Sequence, residues 1–181
     1  MQTFKDKYLL FRIKTLNDTE AYGMIYDRYA SRIYRFIYFK VATQADAEDI
    51  VSETFLKAWQ YINEGQPVKN LNALLYSIAR NLVIDFYRFQ AKKKSYEEPI
   101  SIEIGANIGI ANKIDSKQSE KRILQAIKSL KNEYSEVIVL RFFDDISISD
   151  IAKIIGKSQN NTRVLIHRAL GSLKRVIEPQ E

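Results

Sequence analysis

A chain of 181 residues, 46% of them hydrophobic, is long enough for one ordinary domain or two small helical ones, each with a modest core. Its formal net charge of +6, from 28 Lys and Arg against 22 Asp and Glu, favours acidic partners without naming one. The absence of cysteine excludes a disulfide framework and a thiolate zinc site and fits a reducing compartment, and no apolar run reaches the roughly 18 residues of a membrane span.

The N-terminal stretch MQTFKDKYLLFRIK has no long apolar segment ending in small residues, so no export signal is read there and a cytoplasmic protein is expected. Helical periodicity is assigned from about Asp18 to Phe39, where Ala21, Met24, Ile25, Tyr29, Ile33, Phe36 and Ile37 recur at spacings of three and four and Asp18 or Thr19 can cap the start. A second helix is expected from about Gln44 to Ile62, opened by Thr43 and closed by the Asn63-Glu64-Gly65-Gln66-Pro67 cluster. A third covers about Leu71 to Phe89. After Lys92, Lys93 and Lys94 the periodicity weakens through SYEEPISIEIGANIGIANKIDSKQ, which holds Pro99, Gly105 and Gly109 and reads as a linker. The alternation in ISIEI suggests a strand, but one strand alone has no partner.

Helical pattern resumes at about Ser119 with Ile123, Leu124, Ile127 and Leu130, and again from about Ser135 through Val137, Ile138, Leu140 and Arg141. Ser147, three residues before Asp150, opens a short helix with Ile148, Ile151, Ala152 and Ile155 inward; Gly156 ends it in the left-handed conformation and Ser158 caps the next. Helix, short turn, helix is the pattern of a helix-turn-helix. The expected fold is all-α, two small helical domains joined by a flexible linker: residues 1–94, a linker over 95–118, and a helix-turn-helix domain over 119–181.

Three faces carry the functional signal. On the last helix Thr162, Leu165, Ile166, Ala169, Leu170, Leu173, Val176 and Ile177 share a broad core side, while Arg163, Val164, His167, Arg168, Gly171, Lys174 and Arg175 lie opposite. No acidic residue falls between Ser158 and Ile177, and a face of one sign beyond a helix-turn-helix bend suits phosphate and base contact. Ser158, Gln159, Asn160 and Asn161 supply hydrogen-bonding groups at its start, and Val164 can meet a thymine methyl. A competing reading is that single exposed valines are ordinary and that basic ends merely complement the helix dipole.

On the third helix Leu74, Leu75, Ile78, Ala79, Leu82, Val83, Phe86 and Phe89 form an apolar stripe, and Tyr76, Ser77, Arg80, Asn81, Tyr87 and Arg88 fall opposite. Interleaved arginine and tyrosine suit single-stranded nucleic acid, although surface tyrosines are equally ordinary packing. The second helix is acidic: Ala47, Val51, Phe55, Ala58 and Ile62 point inward, while Asp46, Asp49, Ser52, Glu53 and Leu56 point outward. Those outward residues make either a docking patch for a basic protein surface or a solvated acidic face.

In order along the chain, AYGMIYDRYASRIYRFIY, DAEDIVSETFLKAW, LLYSIARNLVIDFYR and SLKNEYSEVIVLRFFDDISISDIAKIIGKSQNNTRVLIHRALGSLKR resemble successive signatures of the extracytoplasmic-function (ECF) subfamily of bacterial RNA polymerase sigma factors. The resemblance runs from about Glu20 to Arg175, excluding the linker. It implies a transcription initiation factor that binds core RNA polymerase, through the clamp helices of the largest subunit and through the flap, directs it to promoter DNA and assists opening. It puts Asp49, Ser52, Glu53 and Leu56 on the polymerase interface, with Ser52 where glutamine is usual. It assigns Asn63 to Asn70, including Lys69, to a loop that captures a flipped minus-ten base, beside Tyr76, Arg80, Asn81, Tyr87 and Arg88 on the adjoining face. Asp85 fits either DNA contact or pairing with an arginine. It assigns Ser158, Gln159, Asn160, Asn161, Arg163, Val164, His167 and Arg168 to minus-thirty-five recognition, with the Asn160-Asn161 pair replacing the usual small and threonine residues, so promoter sequence does not carry over. An anti-sigma factor is the further partner it implies.

No catalytic residue, metal site, cofactor or small-molecule substrate is expected. The sequence holds no glycine-rich phosphate loop, no metal-ligand spacing, and a single histidine without cysteine. The rivals are a stand-alone helix-turn-helix regulator, which leaves the acidic face unexplained, an enzyme, and a helical adaptor that binds no DNA.

Overall fold

The computed structural model describes residues 2–94 and 116–178, and every regular element among them is helical. In chain order these are α1 (Gln2–Leu16), α2 (Thr19–Tyr38), α3 (Gln44–Asn63), α4 (Leu71–Lys94), α5 (Ser116–Ser129), α6 (Asn132–Ile138), a π-helical turn (Val139–Phe143), α7 (Ile148–Ile155) and α8 (Gln159–Ile177). The chain divides into two compact units, one built on the helices up to residue 90 and the other on most of the helical chain beyond it. The ISIEI alternation lies outside the described residues.

In the first unit the sequence pattern acts directly. Asp18 caps α2 by accepting from the Ala21 N–H at 3.0 Å, and Thr43 caps α3 through the Asp46 N–H at 3.1 Å. Ala21, Ile25, Tyr29, Ile33, Phe36 and Ile37 bury the inner side of α2 against Ala47, Val51, Phe55, Ala58 and Ile62 of α3. Burial of each large aliphatic or aromatic side chain stabilises the unit by roughly 1.5–3 kcal/mol. Met24 departs from this stripe and is exposed.

Helix α1 is the element that the periodicity reading leaves unassigned. It packs on α2 and α3 through buried Leu9, Leu10 and Ile13, and its buried Asp6 pairs with Arg28 and accepts from the Tyr29 hydroxyl at 2.6 Å. Burying a carboxylate is unfavourable unless charge and hydrogen bonds compensate, and these two partners supply both. Helix α4 continues five residues past the expected end at Phe89, through Lys92, Lys93 and Lys94, and α5 begins at Ser116, taking the last three residues of the expected linker into helix.

In the second unit α6 and α8 form the principal contact, with α5 against both. The expected helix around Leu140 and Arg141 is a widened π turn, closed by Asp144 N–H donating to the Val139 carbonyl at 3.1 Å. Asp145 then takes a left-handed φ of 52° and the chain returns Ile146 to the core. Ser147 accepts from the Asp150 N–H at 3.1 Å to start α7, and its hydroxyl donates to the Asp150 carboxylate at 2.9 Å. At the far end Gly156 has φ of 67°, the Lys157 N–H reaches the Ala152 carbonyl at 3.0 Å and the Gly156 N–H reaches Lys153, a Schellman closure that only a residue tolerating positive φ makes without strain.

Candidate nucleic-acid and protein interfaces

Ser158 accepts from the Asn161 N–H at 3.2 Å, which fixes where α8 starts and therefore which side chains share each face. Thr162, Ile166 and Ala169 are buried, and Thr162 donates back to the Ser158 carbonyl at 2.9 Å. The core side is narrower than the broad face read from the sequence: Leu165 and Leu173 are half-buried, whereas Leu170, Val176 and Ile177 are exposed, the last two lining an open cleft with Ile123 and Ala126 of α5. Gln159, Asn160, Asn161, Arg163, Val164, His167 and Arg168 are all exposed, Val164 at 49%.

Arg163 donates to the Asn160 Oδ1 at 2.9 Å, holding one guanidinium edge along the helix, while Arg168 and His167 have no protein partner among the described residues. From Asn160 to Arg168 the helix rises about 12 Å, matching the width of a DNA major groove. Basic groups flanking one apolar side chain on such a segment can hold phosphates and read base edges together.

Helix α4 departs more from expectation. Tyr76, placed on the outward face by the sequence reading, is fully buried, with its ring edge-on to Phe36 at 5.2 Å between centroids. The physical reason is spacing: Tyr76 stands three residues before Ala79 and seven before Val83, so it lies on the core side of the helix with them. It cannot stack on a base. Phe89 errs in the opposite direction and is 70% exposed.

The remaining residues of that face stay accessible to different degrees. Asn81 and Arg88 are exposed, Arg80 is half-buried, and Tyr87 is partly exposed with its hydroxyl donating to the Lys40 carbonyl. That burial raises the Tyr87 hydroxyl pKa above its ordinary value, with Asp46 adding to the effect. Asp85 and Arg88 form an exposed ion pair at 3.3 Å, the arginine-pairing alternative for Asp85.

Asn63, expected in the loop, is the exposed last residue of α3; in the loop before α4 Lys69 is exposed, and half-buried Asn70 uses its Oδ1 to accept from the Ala73 N–H at 3.1 Å, capping α4. The loop and the Tyr87–Arg88 end of α4 stand about 24 Å apart along the helix, so these residues form a strip and not a single pocket.

The outer side of α3 is acidic as expected. Asp49, Ser52, Glu53 and Leu56 are exposed, Leu56 at 57%. Ser52 turns its hydroxyl back to the Glu48 carbonyl at 3.0 Å, Glu53 pairs with Lys57 at 3.1 Å, and Asp49 has no ion pair among the described residues. A cleft continues from this face onto α4, lined by Asp46, Asp49, Glu53 and Lys57 at its rim and by Ile50, Leu82, Phe86 and Phe89 along its apolar side. Exposed Phe89 therefore belongs to a surface of acids around an apolar strip, which suits a basic amphipathic protein segment.

Comparison with known proteins locates both units. The sigma-70 region 2 family model matches residues 25–93 and the sigma-70 region 4 model matches residues 120–173. The chain is 32% identical over 164 residues to the ECF RNA polymerase sigma factor BldN of Streptomyces coelicolor, covering 88% of this chain and 61% of that protein. It is 28% identical over 179 residues to the ECF RNA polymerase sigma factor SigW of Bacillus subtilis, covering 91% of this chain and 94% of that one. The chain thus spans about three fifths of the length of the first relative and nearly all of the second. The fold is similar to that of CnrH, solved in complex with the cytosolic domain of CnrY, with a TM-score of 0.72 and 21% identity over 98% of this chain and 99% of that one. It is also similar to RpoE of Bartonella quintana, solved with the anti-sigma factor NepR, with a TM-score of 0.67 and 20% identity over 88% and 98% of the two chains.

Proposed function

From the premise that the chain belongs to the sigma-70 family, among its ECF sigma factors, we propose that it is a transcription initiation factor that binds core RNA polymerase, directs it to specific promoters and assists DNA opening. The observation that carries this reading is the pairing, on one chain, of an acidic docking face on α3 with basic faces on α4 and α8. The domain division is read as polymerase binding and minus-ten recognition over 1–94, a linker over 95–118, and minus-thirty-five recognition over 119–181.

In this reading Asp49, Glu53 and Leu56 meet the clamp helices of the largest polymerase subunit, and the adjoining cleft with Phe89 widens the docking surface. Ser52, tied to its own helix, contributes little to that contact. The second unit meets the flap. The Asn63–Asn70 loop, Arg80, Asn81, Tyr87 and Arg88 receive the minus-ten element; unstacking a base costs a few kcal/mol, which a pocket and a stacking surface offset only once the base is out. Asn160, Asn161, Arg163, Val164, His167 and Arg168 read the minus-thirty-five element in the major groove. Tyr76 takes no part in it.

The protein performs no chemistry of its own and works in the cytoplasm with polymerase. No helix among the described residues is long and apolar enough to cross a membrane. Because CnrH and RpoE were each solved with a partner, the latter an anti-sigma factor, an anti-sigma partner is part of the proposal.

The test is transcription by core polymerase with and without the protein, on promoters selected from a random library by the reconstituted holoenzyme. Output from the selected promoters is expected only with the protein; equal output without it sinks the reading. A stand-alone regulator instead gives operator binding that does not need polymerase.

A further inference from the structure

The loop that follows α3 is held from outside by α1. Helix α3 ends with no basic residue in its last turn, although the carbonyls and partial negative charge at a helix C-terminus favour a cation there. Gly65 turns the chain out of α3 with φ of 79°, and the Lys14 ammonium of α1 donates to the carbonyls of Gly65, at 3.5 Å, and of Gln66, more closely. These are charge-assisted bonds to residues 51 and 52 positions away, so they depend on where α1 lies and not on chain proximity.

Helix α1 is in turn fixed along its length. Asp6 is locked to Arg28 and Tyr29 at one end, Leu9, Leu10 and Ile13 are buried in the middle, and Arg12 pairs with Asp18, the cap of α2, at 2.6 Å. Lys14, by contrast, is exposed and contributes nothing to that anchorage. At the other end of the loop Asn70 caps α4, and Pro67 stiffens the chain between. The loop is therefore held at both ends: at the α3 end the Glu64 and Gly65 N–H groups bond back to Gln60 and Ile62, and Lys14 adds the hold on the Gly65 and Gln66 carbonyls.

We propose that α1 is a strut for the minus-ten loop and that Lys14 is its positioning residue, fixing the Gly65–Gln66 backbone so that the loop discriminates the base it captures. This rests on the reading of residues 63–70 as the minus-ten loop. Lys14 acts through the loop backbone, so its loss blurs discrimination between bases and leaves docking to polymerase unchanged.

The experiment uses reconstituted holoenzyme and two single-stranded oligonucleotides, one carrying the minus-ten sequence obtained by promoter selection and one with the captured base replaced. Lys14→Ala is expected to lower the ratio of the two affinities about three- to tenfold, the range of one lost hydrogen bond, with core affinity unchanged and the melting temperature lowered only slightly, by the loss of that bond. Lys14→Arg, which keeps a cationic donor, restores the ratio. An equal loss on both oligonucleotides, with the ratio kept and a shallower salt dependence, makes Lys14 an ordinary phosphate contact and overturns the strut. A melting temperature that falls in both variants makes it a stability residue and overturns it as well. If the wild-type holoenzyme itself shows no preference between the two, the minus-ten assignment of the loop fails, and the strut fails with it.

Discussion

Helices α4 and α8 both turn arginines outward, yet they treat their polar residues differently. On α8 the outer side chains make only local contacts, Arg163 with Asn160 and Lys174 with Glu178, and Val164 remains exposed between basic neighbours. On α4 the fold uses several residues for itself: Tyr76 is core, Tyr87 is strapped to Lys40, Asp85 engages Arg88, and Asn70 caps the start. A helix whose buried side is a narrow stripe keeps a simple two-faced pattern. A helix with a wider packed arc draws on the residues at the edge of that arc, and those edge residues become structure.

The strongest way to break this contrast is at Tyr76. Tyr76→Ala removes a fully buried ring and should destabilise the first unit by about 3–5 kcal/mol, read by chemical or thermal denaturation. Tyr76→Phe keeps the ring against Phe36 and should cost far less. A Tyr76→Ala protein of wild-type stability that loses only minus-ten affinity would return Tyr76 to the DNA face and erase the difference between the helices.

The mirror test on α8 is Val164→Asp. A carboxylate there faces phosphates and loses the apolar contact, so affinity of the full-length protein for a minus-thirty-five duplex should fall about ten- to a hundredfold, while the melting temperature hardly changes. Unfolding instead would put Val164 in the core. Charge reversal at Asp49 and Glu53 is expected to weaken binding to core polymerase about tenfold by placing cations against a basic partner, with affinity for the same duplex unchanged. Loss of duplex affinity in that variant contradicts the assignment of α3 to the polymerase.

What the sequence made legible follows the same line. The all-helical architecture, the caps Asp18, Thr43, Ser147 and Ser158, the left-handed turn at Gly156 and the exposure of the α8 face all follow from local rules, because each depends on residues within one or two turns. Two misses had a readable signal. Asp6, Leu9, Leu10 and Ile13 recur at helical spacing, but the exposed aromatics Tyr8 and Phe11 between them blur the stripe. The separations of Tyr76 from Ala79 and Val83 likewise place it in the core. Other features had no local signal: the π turn at Val139–Phe143, the bond from Lys14 to Gln66 and that from Tyr87 to Lys40 depend on tertiary packing.

The smallest expected effect is the sharpest test of how α4 divides its work. In Tyr87 one residue carries both roles, because its hydroxyl holds the Lys40 carbonyl while its ring remains partly exposed. Tyr87→Phe deletes only the bond and should cost about 0.5–1 kcal/mol of stability while leaving promoter opening intact. Tyr87→Ala deletes the ring as well and should slow opening, since base stacking on an aromatic is worth about 1–3 kcal/mol. The hydroxyl pKa is raised in the folded protein, first by burial and then by Asp46, so its stabilising contribution is present below the ordinary value of 10.0 and lost as pH rises through the higher folded value. The stability gap between wild type and Tyr87→Phe should therefore hold through neutral pH and close only above pH 10.0. If Tyr87→Phe impairs opening as much as Tyr87→Ala does, the hydroxyl and its hold on Lys40 are the functional part, and the ring is not a stacking surface.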